Sequence, residues 1–180
     1  MAALLSRRLI GGLLAVALAA VGVALLVGAL RGSDSANLAA VAGPGASQAD
    51  AGDAHLAPGT PDPIYPSDPP TSGAHVVRAV TRDDVPLSDD ELLTALELGD
   101  VVLAYGRRTD ERPLAALADR LAGPFDPSLA ASGEAVILDP LPSVAGTTAL
   151  AWRHELHAAS PTDPALASFA TFWLGRGAQG

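Results

Sequence analysis

Ser88-Asp89-Asp90-Glu91-Leu92-Leu93-Thr94-Ala95-Leu96-Glu97-Leu98-Gly99-Asp100-Val101-Val102-Leu103-Ala104-Tyr105 writes a helix and a strand into consecutive residues. Ser88 and Glu91 have the three-residue spacing of a capping box. The serine hydroxyl accepts from the third amide of the helix, and the glutamate reaches back to the serine amide. Leu92, Leu93 and Leu96 recur on one face of the helix that follows, and Gly99 ends it. The run Val101–Tyr105 is short and apolar throughout, which predicts a strand buried in a sheet.

The same reading extends toward the C-terminus. A second helix is expected from about Glu111 to Leu121, with Leu114, Leu117 and Leu121 on one face and Gly123-Pro124 as its stop. Ala135–Leu138 predicts a short strand halted by Asp139-Pro140. Thr148–Ala158 reads with a period of two, placing Leu150, Trp152, His154 and Leu156 on one face and Ala151, Arg153, Glu155 and His157 on the other. Asp163 caps a last helix with Pro164 in its first turn, Leu166, Phe169 and Trp173 pointing inward, and Gly175 at its end. The predicted order is α-β-α-β-β-α: a small mixed-sheet α/β domain in which the last two strands pair as a hairpin.

Toward the N-terminus the character of the chain changes. His55–Gly73 carries Pro58, Pro61, Pro63, Pro66, Pro69 and Pro70, a density that fixes φ and removes backbone donors, so this is an extended arm. Residues 31–54 are small and polar with no hydrophobic period, the composition of a disordered linker. Leu9–Leu30 has no charged residue and at about 1.5 Å per residue is long enough to span a bilayer. It is therefore expected to be a single transmembrane helix and signal anchor, preferred over a cleaved signal peptide because it exceeds the usual apolar core of one. Arg7 and Arg8 place residues 1–8 on the cytoplasmic side and residues 55–177 outside the cell membrane as an extracytoplasmic domain.

Composition excludes several classes of function. There is no cysteine, so disulfides, thiolate nucleophiles and cysteine-ligated zinc are ruled out. All 11 basic residues are arginine, and 20 acidic residues leave a net charge of −9, which repels phosphate backbones and argues against nucleic acid as a partner.

The stretch Tyr65-Pro66-Ser67-Asp68-Pro69-Pro70-Thr71-Ser72-Gly73-Ala74-His75, with His55 upstream of the tyrosine, resembles the bacterial family called domain of unknown function 3105. The helix–strand stretch 94–105, Ala151-Trp152 and the closing Gly175-Arg176-Gly177 resemble it more loosely, so the likeness covers about residues 55–177. The family pattern carries two histidines four apart on its helix, on one face, as a metal pair would be. Here Thr94 and Leu98 stand at those positions, and His55, His75 and Glu97 are what the chain keeps of the set.

Two imidazoles and a carboxylate are a legitimate transition-metal ligand set. The bland alternative is a His75 bonded to backbone at the end of its turn and a solvated Glu97. His154 and His157 fall on opposite faces of a strand and cannot share an ion. Ser72 has His75 nearby and Asp68 as a conceivable orienter, but lacks the setting of a serine nucleophile and reads as a turn residue. Asp89-Asp90-Glu91 and Asp110-Glu111 complement helix dipoles. The expectation is a membrane-anchored, extracytoplasmic binding or interaction domain, non-enzymatic, held to the membrane through Leu9–Leu30, with a protein partner at the outer surface. The alternative is a transition-metal-binding protein or metal-dependent enzyme using His55, His75 and Glu97.

Overall fold

The computed structural model describes residues 43–61 and 63–178. Five strands form one sheet: β1 (Ala46–Ser47), β2 (Val101–Tyr105), β3 (Val136–Pro140), β4 (Thr147–Ala151) and β5 (His154–Ala158). Their order across the sheet is β1-β5-β4-β2-β3. β2 and β3 are parallel, in the register Val101↔Val136 to Tyr105↔Pro140, and every other pairing is antiparallel. The helices are α1 (Asp89–Leu98), α2 (Arg112–Ala122), α3 (Pro127–Ser132) and α4 (Pro164–Trp173). The parallel β2–β3 pair needs a crossover, which α2 and α3 supply.

The sheet is covered on both faces, and β2 shows why its run is apolar throughout. Val101, Leu103 and Tyr105 face Leu114 and Leu117 of α2 and Leu166, Phe169 and Trp173 of α4. Val102 and Ala104 face Leu92, Leu93 and Leu96 of α1 and Ala130 of α3, with Tyr65 of the arm packed alongside. A strand buried on both sides has no polar positions to alternate with. The capping box of α1 is present in full: Ser88 accepts from the Glu91 amide, and Glu91 accepts from the Ser88 amide. Asp163 caps α4 through the Ala165 amide, with Pro164 at its first position.

Three expectations need correction. The expected transmembrane helix, and with it the signal anchor and the single-pass placement in a cell membrane with an extracytoplasmic domain, is not supported. Among the described residues no helix is long and apolar enough to cross a membrane. The longest, α2, has 11 residues, about half of what a bilayer core requires. Leu9–Leu30, on which the expectation rested, lies outside the described residues, and so do residues 1–8.

Thr148–Ala158, secondly, is not one strand. It turns back on itself at Trp152-Arg153, and the hairpin is β4–β5, while β3 joins the sheet beside β2. Across the turn the alternation inverts. Ala149, Ala151, Leu156 and Ala158 face α4, whereas Leu150 and Trp152 face α1. Thirdly, residues 43–54, read as linker, take part in the fold: Ala46 and Ser47 pair with Glu155 and His154, and the Gln48 amide donates to the Arg153 carbonyl.

Candidate metal centre

Three segments meet at the C-terminal end of α1. The helix presents Asp90, Thr94 and Glu97 at four- and three-residue spacing, hence on one face. Residues 75–78 lie along that face. The Val76 amide donates to Asp90 Oδ1 at 2.8 Å, and the Arg78 amide donates to Thr94 Oγ1 at 3.0 Å. The Arg78 guanidinium reaches Asp90 Oδ2, also at 3.0 Å. Thr94 is buried and its hydroxyl donates to the Asp90 carbonyl. The third element is the arm: His55 and His75 form a parallel bridge, the Leu56 amide donating to the His75 carbonyl and the His75 amide to the Ala54 carbonyl.

This arrangement brings together the three candidate ligands read from the sequence. One donor atom each from His55, His75 and Glu97 lie within 4.8 Å of one another. His55 Nε2 is 3.0 Å from Glu97 Oε2 and 3.1 Å from Oε1. His75 Nε2 is 3.2 Å from Oε2 but lacks the direction of a hydrogen bond, so this buried nitrogen has no bonded partner. Burial grades across the cluster: the His75 side chain is 0% exposed, Glu97 18% and His55 54%.

The tautomer of His75 follows from its other nitrogen. Nδ1 lies 2.9 Å from the Gly73 carbonyl, which can only accept, so Nδ1 carries a proton and donates. A neutral ring then has its lone pair on Nε2, which lies 3.2 Å from Glu97 Oε2 and within 4.8 Å of a donor atom of His55. A backbone carbonyl that fixes a histidine in this way is the usual outer support of a metal ligand. Gly73 is required for it. Its φ of 143° lies where side chains are rarely tolerated, and a Cβ would meet the Tyr65 ring at 2.7 Å. The Tyr65 hydroxyl donates to the Ala74 carbonyl and braces the same turn.

Glu97 is held from behind by the chain end. The Ala178 amide donates to the Glu97 carbonyl, and a Cβ on Gly177 would stand 2.0 Å from that oxygen, so only glycine lets the strands of chain approach.

The remaining candidates are placed elsewhere. Ser72 is fully buried; its hydroxyl accepts from the Ala51 amide and donates to the Ala49 carbonyl, so it ties arm to turn. His154 stacks on Trp173 with ring centroids 3.8 Å apart and bonds the Trp152 carbonyl, and burial lowers its pKa. His157 bonds the Thr148 hydroxyl. The roles of Asp90 and Thr94 escaped the sequence reading, which gave Asp90 to the helix dipole and treated Thr94 as a lost ligand. The signal was their spacing with Glu97.

Residues 62–178 match the family described as "Protein of unknown function (DUF3105)". No curated protein and no solved structure matches the chain.

Proposed function

The chain is a member of the DUF3105 family, and we propose that its domain binds a first-row transition-metal ion through His55, His75 and Glu97. The observation that carries this reading is the buried His75 Nε2: its other nitrogen bonded to the Gly73 carbonyl, no hydrogen bond of its own, and the other two donors within 4.8 Å. A buried polar atom without a partner is costly unless something else satisfies it, and an ion would do so. Two imidazoles and one carboxylate suit zinc, copper, nickel or iron. Calcium and magnesium want mostly oxygen, and only Glu97 offers it here. Contraction of the donors to about 2 Å from a common ion needs only small side-chain movement. Three protein ligands leave at least one position of a tetrahedral ion for water or an external donor. Serine-based hydrolysis is disfavoured, because the Ser72 hydroxyl is committed to Ala49 and Ala51.

Calorimetric titration of the metal-free full chain with zinc and with copper is the test. One ion per chain is expected. His75→Ala should weaken binding by more than the roughly 10–100-fold typical of losing an outer support, and His157→Ala should bind like the parent. No binding, or binding that survives His75→Ala, overturns the reading.

A further inference from the structure

The segment that carries His55, residues 49–61, is docked with almost no apolar anchorage, unlike the later part of the arm with Tyr65 and the buried Pro69 and Pro70. From Ala49 to Pro61 every residue is exposed except Leu56, which is partly buried. This segment is held by single contacts: the Ala49 and Ala51 bonds to Ser72, the Asp50–Arg153 ion pair, the two backbone bonds bracketing His55, and the His55–Glu97 contact. Exposed backbone bonds over little buried apolar surface mark a segment that opens locally at low free energy, well below the cost of unfolding the core. The other two ligands belong to the body of the domain, His75 fully buried and Glu97 on α1.

We propose that the site is a metal-operated clasp: an ion that bridges His55 to His75 and Glu97 fastens residues 49–58 onto α1. The proposal rests on the metal-binding reading above. Opening the arm removes one of three protein donors, so arm docking and ion retention are coupled reciprocally. The ion closes the arm, and the docked arm retains the ion. His55, the most exposed of the three, is the ligand that leaves first.

Hydrogen–deuterium exchange on the full chain tests this, with and without zinc, for the parent and for His55→Ala, alongside calorimetry on the same samples. The amides to follow are those of Leu56 and His75, which bond across the arm. Zinc well above its dissociation constant should slow their exchange about tenfold to a hundredfold, as linkage requires when the open arm binds the ion poorly. The half-exposed loop at residues 142–146, which carries none of the three ligands, should be unchanged. In His55→Ala, whose replaced side chain is exposed and whose fold should persist, zinc should leave arm exchange as it was. If zinc binds the parent and the arm amides do not slow, the clasp is overturned while the metal site stands. If zinc does not bind, the site falls and takes the clasp with it.

Discussion

Carboxylates in this chain are spent on backbone amides more than on arginines. Asp83 accepts from the Leu138 amide, Asp90 from Val76, Asp100 from Ala135 and Asp139 from Leu87. Asp100 is the extreme case. Its Oδ1 takes the Ala135 amide at 2.8 Å, its Oδ2 has no partner, and the residue is 1% exposed. Burial outweighs the amide bond and lifts its pKa from an ordinary 3.8 to about 7; the same balance lifts Asp139 to about 6. Because the folded chain holds these protons more tightly than the unfolded one, their contribution to stability is fully present below pH 3.8 and is lost as pH rises through 6 to 7. Asp100→Asn keeps an oxygen for the Ala135 amide and removes the charge. It should therefore stabilise the domain at pH 8 by about 1–3 kcal/mol and do little near pH 3, where the carboxyl is protonated in the folded and unfolded chain alike. Urea denaturation at the two pH values measures this; an equal difference at both would refute the assignment.

At the level of elements, what could be read from the sequence depended on whether a local rule was present. The capping box, the leucine face and Gly99 define α1 almost to the residue, and the apolar run defines β2. The β4–β5 turn was illegible because Trp152-Arg153 contains none of the residues that mark tight turns, although Arg153 sits at a φ of 62°. β1 is two residues long and its order comes from partners more than a hundred positions away, as with the Gln48 bond to Glu155. The site divides similarly. Its ligand types could be read, but their convergence depends on residues 75–78 being fastened along α1, which no local pattern encodes. Thr94 is the central fastener, accepting the Arg78 amide while donating to the Asp90 carbonyl. Thr94→Val keeps the shape and deletes the acceptor, leaving a part-buried amide unpaired, so we expect a loss of about 1–3 kcal/mol together with weaker zinc binding. Thr94→Ser, which retains the hydroxyl, should recover most of both in parallel denaturation and titration experiments. A valine variant with unchanged zinc affinity would show that this fastening does not hold the site.

Over the whole domain, the two cores share one sheet, and this fixes how it should unfold. Leu103 and Val102 are neighbours in β2, yet one packs under α4 and the other under α1; β4 divides in the same way, Ala149 to one side and Leu150 to the other. Neither helical layer can be stripped away without exposing one face of strands whose backbone bonds the other layer needs intact, so a half-unfolded sheet gains little chain entropy while losing a full apolar interface. The two tryptophans report on this directly, because Trp173 lies in the core beneath α4 and Trp152 in the core beneath α1, each nearly buried. In the single-tryptophan variants Trp152→Phe and Trp173→Phe, urea unfolding followed by fluorescence should give one transition each. Its midpoint should match that from far-ultraviolet circular dichroism of the same variant. Zinc should move the midpoints of both variants upward together, since an ion on α1 and the arm stabilises a domain whose two cores unfold as one unit. Zinc raising the Trp152-reported midpoint while leaving the Trp173-reported one in place would mean that the α1 layer melts on its own, and the sheet would not be the common support of both cores.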